Sequence, residues 1–342
     1  MNIERLFRRK RKVKKVKKEK DITVSIVRVL SMLMIILDHL LSWKGISTKQ
    51  LLSVGVEIFL FISGYLYGDR VLDSFSKFMG RRVIKLLPSL WIMALVVGIP
   101  TLYYDKQSKI LTFIVYALNL QGLPFVFGGI KKWPVIPEIG QLWFITVIFI
   151  CYIIMFFLKK YDVDKWIERN LYLSSIIAIA SIVICGLLKI RLTYIIIYFV
   201  GYYWKKCSDR LSIGRIRFYI LSIVTIAVCL IRIILRNIID GTVMYDYIIS
   251  RVSMVLLAIW IITCVALIIE NNVQISSKVA NSKIWVKLDQ LSYPLFVVHY
   301  PFLVGIYDVS KLFGKGVVGI SIYILATVIC AIILNMICDK IN

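Results

Sequence analysis

From residue 22 to the C-terminus the chain is a succession of long apolar runs. An α-helix needs about 20 such residues to cross a bilayer. With 60% of its 342 residues hydrophobic, the chain is well above the roughly 45–50% of globular domains, and length-per-domain arguments for globular proteins do not apply. Ten spans are expected, near 22–43, 51–68, 86–104, 141–158, 171–188, 191–204, 216–235, 248–269, 291–308 and 316–338. The sixth is short and follows a tight turn at Lys189–Arg191. The expected fold class is all-α: a polytopic membrane protein, a bundle of about ten transmembrane helices with both termini cytoplasmic. No segment outside the spans is long enough for a second core. The expected organisation is thus a basic cytoplasmic tail, 1–21, and one transmembrane domain, 22–342.

The net charge of +24 is concentrated at the start, where residues 1–20 hold eleven Lys and Arg. A cytoplasmic tail that sets topology and touches anionic lipid accounts for this. Nucleic-acid binding is not expected, because aromatic residues do not interleave the tail beyond the single Phe7 and no binding fold follows. The next apolar run is too long for a cleaved signal peptide, holds Arg28 and Asp38, and lacks a small-residue cleavage site. With the tail inside, the inner loops carry 18 further Lys and Arg against 11 in the outer ones, which again puts both ends in the cytoplasm. The longest outer loop, 105–140, has a short helix expected near 110–120. Seven cysteines, an odd number without a C-x-x-C, give no disulfide or metal framework and read as buried free thiols.

Ionisable residues inside spans are costly and default to function. Arg28 and His39 are eleven residues apart in the first span. At about 100° and 1.5 Å per residue they fall within roughly 20° of one helical face, about 16 Å apart. A long substrate with a charged head and a distant reacting atom fits such a face. Asp38 points about a quarter-turn away. Glu57, in the second span, is either an interfacial carboxylate or the group that orients His39. Ser63–Gly64 permits close helix approach. Arg81, Arg82 and Lys85, entering the third span, are either positive-inside anchors or a phosphate site combining planar forks with a mobile point charge. Pro88 then falls in the first turn of the span. Trp143, opening the fourth span, reads as an interfacial belt residue. His299, in LDQLSYPLFVVHYPFL, reads most simply as a hydrogen-bonded core residue, while Pro294 and Pro301 kink that helix and free carbonyls. Arg232 and Arg251, with Asp240 and Asp246 between them, are snorkelling loop pairs or the rim of an acceptor site.

Taken in order, these segments resemble the integral-membrane acyltransferase family 3. The marks are an Arg-x10-His (Arg28, His39), a G-V-[DE]-x-F-x-x-x-S-G (Gly55 to Gly64) and an R-R-x-x-[RK]-[LI]-x-P (Arg81 to Pro88). Leu142-Trp143-Phe144 and a late S-Y-x-x-[FY]-x-x-H from Ser292 through Tyr293 to His299 complete the set. The resemblance implies a ten-helix bundle of the plasma membrane that moves an acyl group, usually acetyl, from cytoplasmic acyl-CoA to a hydroxyl of an envelope carbohydrate or lipid-linked sugar. Acyl-CoA is then a co-substrate, with no permanently bound cofactor and no metal. The family's essential histidine and arginine fall on His39 and Arg28, and its CoA-phosphate motif on Arg81, Arg82 and Lys85. Two places depart from its pattern: Ile148 stands where many members have glutamate, and Gln141 where others have histidine.

On this reading the CoA phosphates sit near Arg81, Arg82 and Lys85, with Arg28 nearby, and the thioester reaches His39. His39 is the general base, and Glu57 rather than Asp38 fixes its tautomer. Two other functions are consistent with buried charges: a transporter or flippase of a lipid-linked glycan, and a sensor or scaffold working through the basic tail.

Overall fold

In a computed structural model of the chain, residues 21–48, 51–105, 109–130, 132–207 and 214–341 are described; the basic tail 1–20 lies outside them. Among the described residues the protein is all-α. Its ten principal helices are α1 (Ile22–Trp43), α2 (Gly55–Tyr65), α3 (Phe75–Val96), α4 (Trp143–Lys160), α5 (Leu171–Leu187), α6 (Thr193–Lys206), α7 (Arg215–Ile239), α8 (Ser250–Asn271), α9 (Lys283–Val298) and α10 (Val317–Ile341). Each of the ten expected spans overlaps one of them.

Length separates the helices into two classes. Among the described residues six are long and apolar enough to cross a membrane: Ile22–Trp43, Phe75–Tyr103, Pro137–Lys160, Ile216–Ile239, Met244–Asn271 and Val317–Ile341. A seventh is reached if Val163–Arg169 and α5, bent by 107°, count as one span. The protein is therefore a multi-pass membrane protein. Helices α2, α6 and α9 have 11, 14 and 16 residues. At about 1.5 Å per residue none reaches the roughly 30 Å of a hydrocarbon core, so helix length supports six or seven crossings and not the expected ten.

Local chemistry explains several helix ends. The Asp21 carboxylate accepts the backbone N–H groups of Thr23 (3.0 Å) and Val24 (3.3 Å), capping α1. Helix α3 begins eleven residues before the expected third span, at Phe75. Arg81, Arg82 and Lys85 thus lie on a formed helix, and Pro88 sits in its interior instead of its first turn. The amphipathic stretch 75–85 winds continuously into the apolar one, which hydropathy alone cannot show. The expected turn before α6 is present, with Lys189 at φ +60°. A short helix, Lys109–Ala117, occupies the loop where one is expected. All seven cysteines are free thiols, but only Cys151 and Cys207 are buried, the others being half-buried.

The described chain forms two compact units, neither contiguous in sequence. One comprises residues up to 34, 53–70 and 167–290. Its tightest packing is α2 on α6. A Cβ at Gly64 would lie 1.8 Å from the Tyr198 carbonyl oxygen, and one at Gly201 would lie 2.0 Å from that of Phe61. Only glycines permit this approach, as Ser63–Gly64 suggested. In the same unit Trp260 Nε1 donates to Ser222 Oγ (2.9 Å), tying α8 to α7.

The other unit comprises 35–52, 71–166 and 291–342. Phe78 of α3 packs edge-on against Tyr152 of α4. The Tyr293 hydroxyl of α9 bonds to Leu86 O (3.0 Å) and Ser89 Oγ (2.9 Å) of α3, either side of Pro88. Trp43 closes α1 by donating from Nε1 to Asp308 (3.0 Å), and it shares a buried cluster with Leu303, Val309 and Tyr323.

Candidate active site

The second unit brings both histidines of the chain together. His39 Nδ1 lies 2.8 Å from His299 Nε2, with the rings 12° from parallel. His299 is fully buried, whereas His39 is partly exposed.

Proline explains how His299 reaches this place. Helix α9 stops at Val298, and Pro301 has no N–H to offer the Val297 carbonyl four residues earlier. That carbonyl instead accepts Gln141 Nε2 at 2.7 Å. The Phe296 carbonyl is taken by Nδ1 of His299 itself, at 2.8 Å. Gln141 thus supports the helix end that carries His299.

The hydrogen bonds fix the proton positions. A carbonyl oxygen can only accept, so His299 Nδ1 carries a proton and donates to Phe296 O. In the neutral ring Nε2 is then a bare acceptor, and the donor across the pair is His39 Nδ1–H. For neutral His39 this leaves Nε2 with its lone pair free. The pair can present a base at one defined atom.

The other predicted residues have contacts of their own. Sequence reasoning preferred Glu57 as the partner of His39, but His39 Nδ1 is already taken by His299. Glu57, buried in the first unit, has its Oε1 3.8 Å from Arg251 Nη1. Arg251 also donates to Tyr194 Oη (2.8 Å) and to Asp246 O (3.4 Å). Asp38 accepts a hydrogen bond from Thr48. Arg28, in the first unit, pairs with Asp289 at 3.0 Å, its side chain 26% exposed against 1% for Asp289. In the second unit, Arg81 forms a hydrogen-bonded ion pair with Asp73 and is exposed, as is Lys85. The hydrogen bond from Arg81 holds the Asp73 carboxyl below its usual range. Arg82 lies over the Phe78 ring at 6.0 Å. Trp143, half-buried, stacks on Phe125 at 4.9 Å, which packs the loop against the start of α4. Tyr293 fastens α9 to α3.

Two neighbours escaped sequence reasoning. Tyr300 lies against the His39 ring, with centroids 4.8 Å apart. Glu138 is buried, its Oε2 has no hydrogen-bond partner, and its carboxylate packs against Gly305, where a Cβ would lie 1.9 Å from Oε1. Tyr300 follows His299 directly, which was a usable signal. Glu138 stands in a loop among prolines and glycines, where no period marks a residue as buried.

A family model described as an acyltransferase domain matches residues 22–336. No curated protein and no solved structure matches the chain. The match covers nearly the whole chain, including every segment that carries the histidine pair. The chain belongs to the integral-membrane acyltransferase family 3.

Proposed function

We propose that this membrane acyltransferase uses cytoplasmic acyl-CoA, with acetyl the preferred group, to O-acylate a surface polysaccharide or lipid-linked sugar at the plasma membrane. The observation that carries the reading is the polarity of the histidine pair: His39 Nδ1–H is committed to His299, so His39 Nε2 is the basic atom. Nε2 takes the proton of the acceptor hydroxyl as its oxygen attacks the thioester carbonyl carbon. The tetrahedral intermediate collapses with cleavage of the C–S bond, and the thiolate of CoA recovers the proton from Nε2. His299 holds the ring in one tautomer throughout and supports the imidazolium by hydrogen bonding. It is a positioning residue, not a second base.

Arg81, Arg82 and Lys85 supply the donor's phosphates with two planar forks and a point charge on one helix. Arg81 would exchange its Asp73 carboxylate for a phosphate. Arg28 belongs to the same proposal as the first-span cation required with His39. Its observed pairing with Asp289 gives it a structural role as well.

The test is transfer of label from acetyl-CoA to a sugar acceptor by purified protein in liposomes. Transfer is expected in the wild type and lost in His39→Ala while the protein remains folded. Full transfer by folded His39→Ala would refute the assigned base. Movement of a lipid-linked glycan across the bilayer without acylation would favour the transporter.

A further inference from the structure

The second unit contains a cavity of about 310 Å³ whose position suggests what fills it. On α10 it is lined by Cys330, Ile333, Leu334 and Ile337. These are spaced i, i+3, i+4 and i+7, a single stripe that runs about 10 Å along the helix. Met93 and Val97, at the end of α3, face this stripe. The cavity is therefore a trough elongated along two helices that are themselves long and apolar enough to cross the membrane.

Its floor and mouth differ. Met93, Val97 and Leu334 are buried, whereas Val96, Ile333 and Ile337, also lining it, are 63%, 50% and 42% exposed. On spans set in a bilayer, that exposed rim opens to hydrocarbon. Besides the weakly polar Cys330 thiol, one lining residue has a polar side-chain group, Tyr307, and its hydroxyl donates to Val96 O at 3.2 Å. A sugar, a phosphate or the amide-rich arm of CoA would find nothing to bond here, while an alkyl or prenyl chain would lose nothing.

The floor decides between a passing lipid and a substrate. It also includes the buried Val298 and Pro301, the residues on either side of His299–Tyr300. The backbone that closes the trough is the same backbone that places His299 on His39. A chain lying in the trough thereby touches the residues that flank His299 and Tyr300.

We propose that this trough binds the hydrocarbon tail of the acyl acceptor, which makes the acceptor a lipid-linked saccharide entering sideways from the membrane. This deepens the acyltransferase reading and rests on it for the word acceptor.

The test uses the full-length protein in phosphatidylethanolamine–phosphatidylglycerol nanodiscs, without acyl donor. One probe is a prenyl-phosphate-linked N-acetylglucosamine with a diazirine on the prenyl chain. The other is phosphatidylglycerol with the same diazirine on an acyl chain. After irradiation, adducts on the 330–337 segment are mapped by mass spectrometry. The glycolipid should label this segment about tenfold more than the phospholipid, and Ile333→Trp, which fills the half-exposed mouth, should reduce that labelling by about tenfold. Equal labelling by the two probes would mean that bulk lipid covers the trough, and would overturn the proposal. So would an absence of glycolipid labelling, or labelling indifferent to Ile333→Trp. Labelling with no subsequent acetyl transfer to the same probe would sink the transferase reading and leave the trough. Transfer to the probe without labelling would do the reverse.

Discussion

His39 and His299 differ in role because their surroundings differ. His299 has both ring nitrogens engaged, by Phe296 O and His39, and is fully buried. His39 has one nitrogen engaged and part of its ring exposed. Replacing His39 by Ala should lower kcat by about 10²–10⁴, the usual contribution of a general base. His299→Ala should lower it less, about ten- to a hundredfold, as for groups that orient a functional histidine. His299→Gln, whose amide oxygen can replace Nε2 as acceptor, should recover part of the loss. An unchanged kcat in His299→Ala would reduce His299 to packing. Arg28 permits a second test. Removing it takes an ion-pair partner from the buried Asp289, so Arg28→Ala should destabilise the protein by about 1–3 kcal/mol, less than for a fully enclosed pair because Arg28 is partly exposed. The double variant Arg28→Leu/Asp289→Leu should restore the thermal midpoint. If it restores transfer too, the role of Arg28 is structural alone.

At the scale of elements, two helices show what their sequences were selected to do. Helix α2 pays for its shortness with an intimate contact: Gly64 meets a backbone carbonyl of α6, which has no side chain to move aside. Gly64→Ala should therefore force the helices apart and cost about 1–3 kcal/mol, read as a lower thermal midpoint of the detergent-solubilised protein. A midpoint unchanged would mean the close approach relaxes freely. Helix α3 carries its basic stretch on formed helix, so Arg81 and Lys85, four apart, share a face. The Arg81→Ala/Arg82→Ala double variant should raise KM for acyl-CoA much more than KM for the acceptor, and the wild-type donor KM should itself rise with salt. Equal effects on both constants would indicate membrane anchoring only.

For the whole molecule, crossing number and orientation are linked by parity. Both termini in the cytoplasm require an even number of crossings, which ten or six satisfies and seven does not. Cytoplasmic reporters fused after residue 342 and before residue 1 should both be active. Activity of only one would establish an odd number and revise the assignment of the inner and outer loops.

The sequence by itself determined the class, because hydrophobic runs of membrane length do not depend on what they pack against. It also determined the family, through motifs spread along the chain, and it singled out His39 and Arg28, because charge inside an apolar run is visible without any fold. What those charges meet was decided by the tertiary structure. The partner of His39 is 260 residues away, beyond any local periodicity, and it is delivered by a helix end that Pro301 leaves unsatisfied and Gln141 repairs. Gln141 read only as a departure from a pattern until the carbonyl it serves was seen. Glu57, too, stands out in the sequence as a charge in an apolar run, but that Arg251 is its ion-pair partner, 194 residues away, follows from the packing of helices and not from any local period.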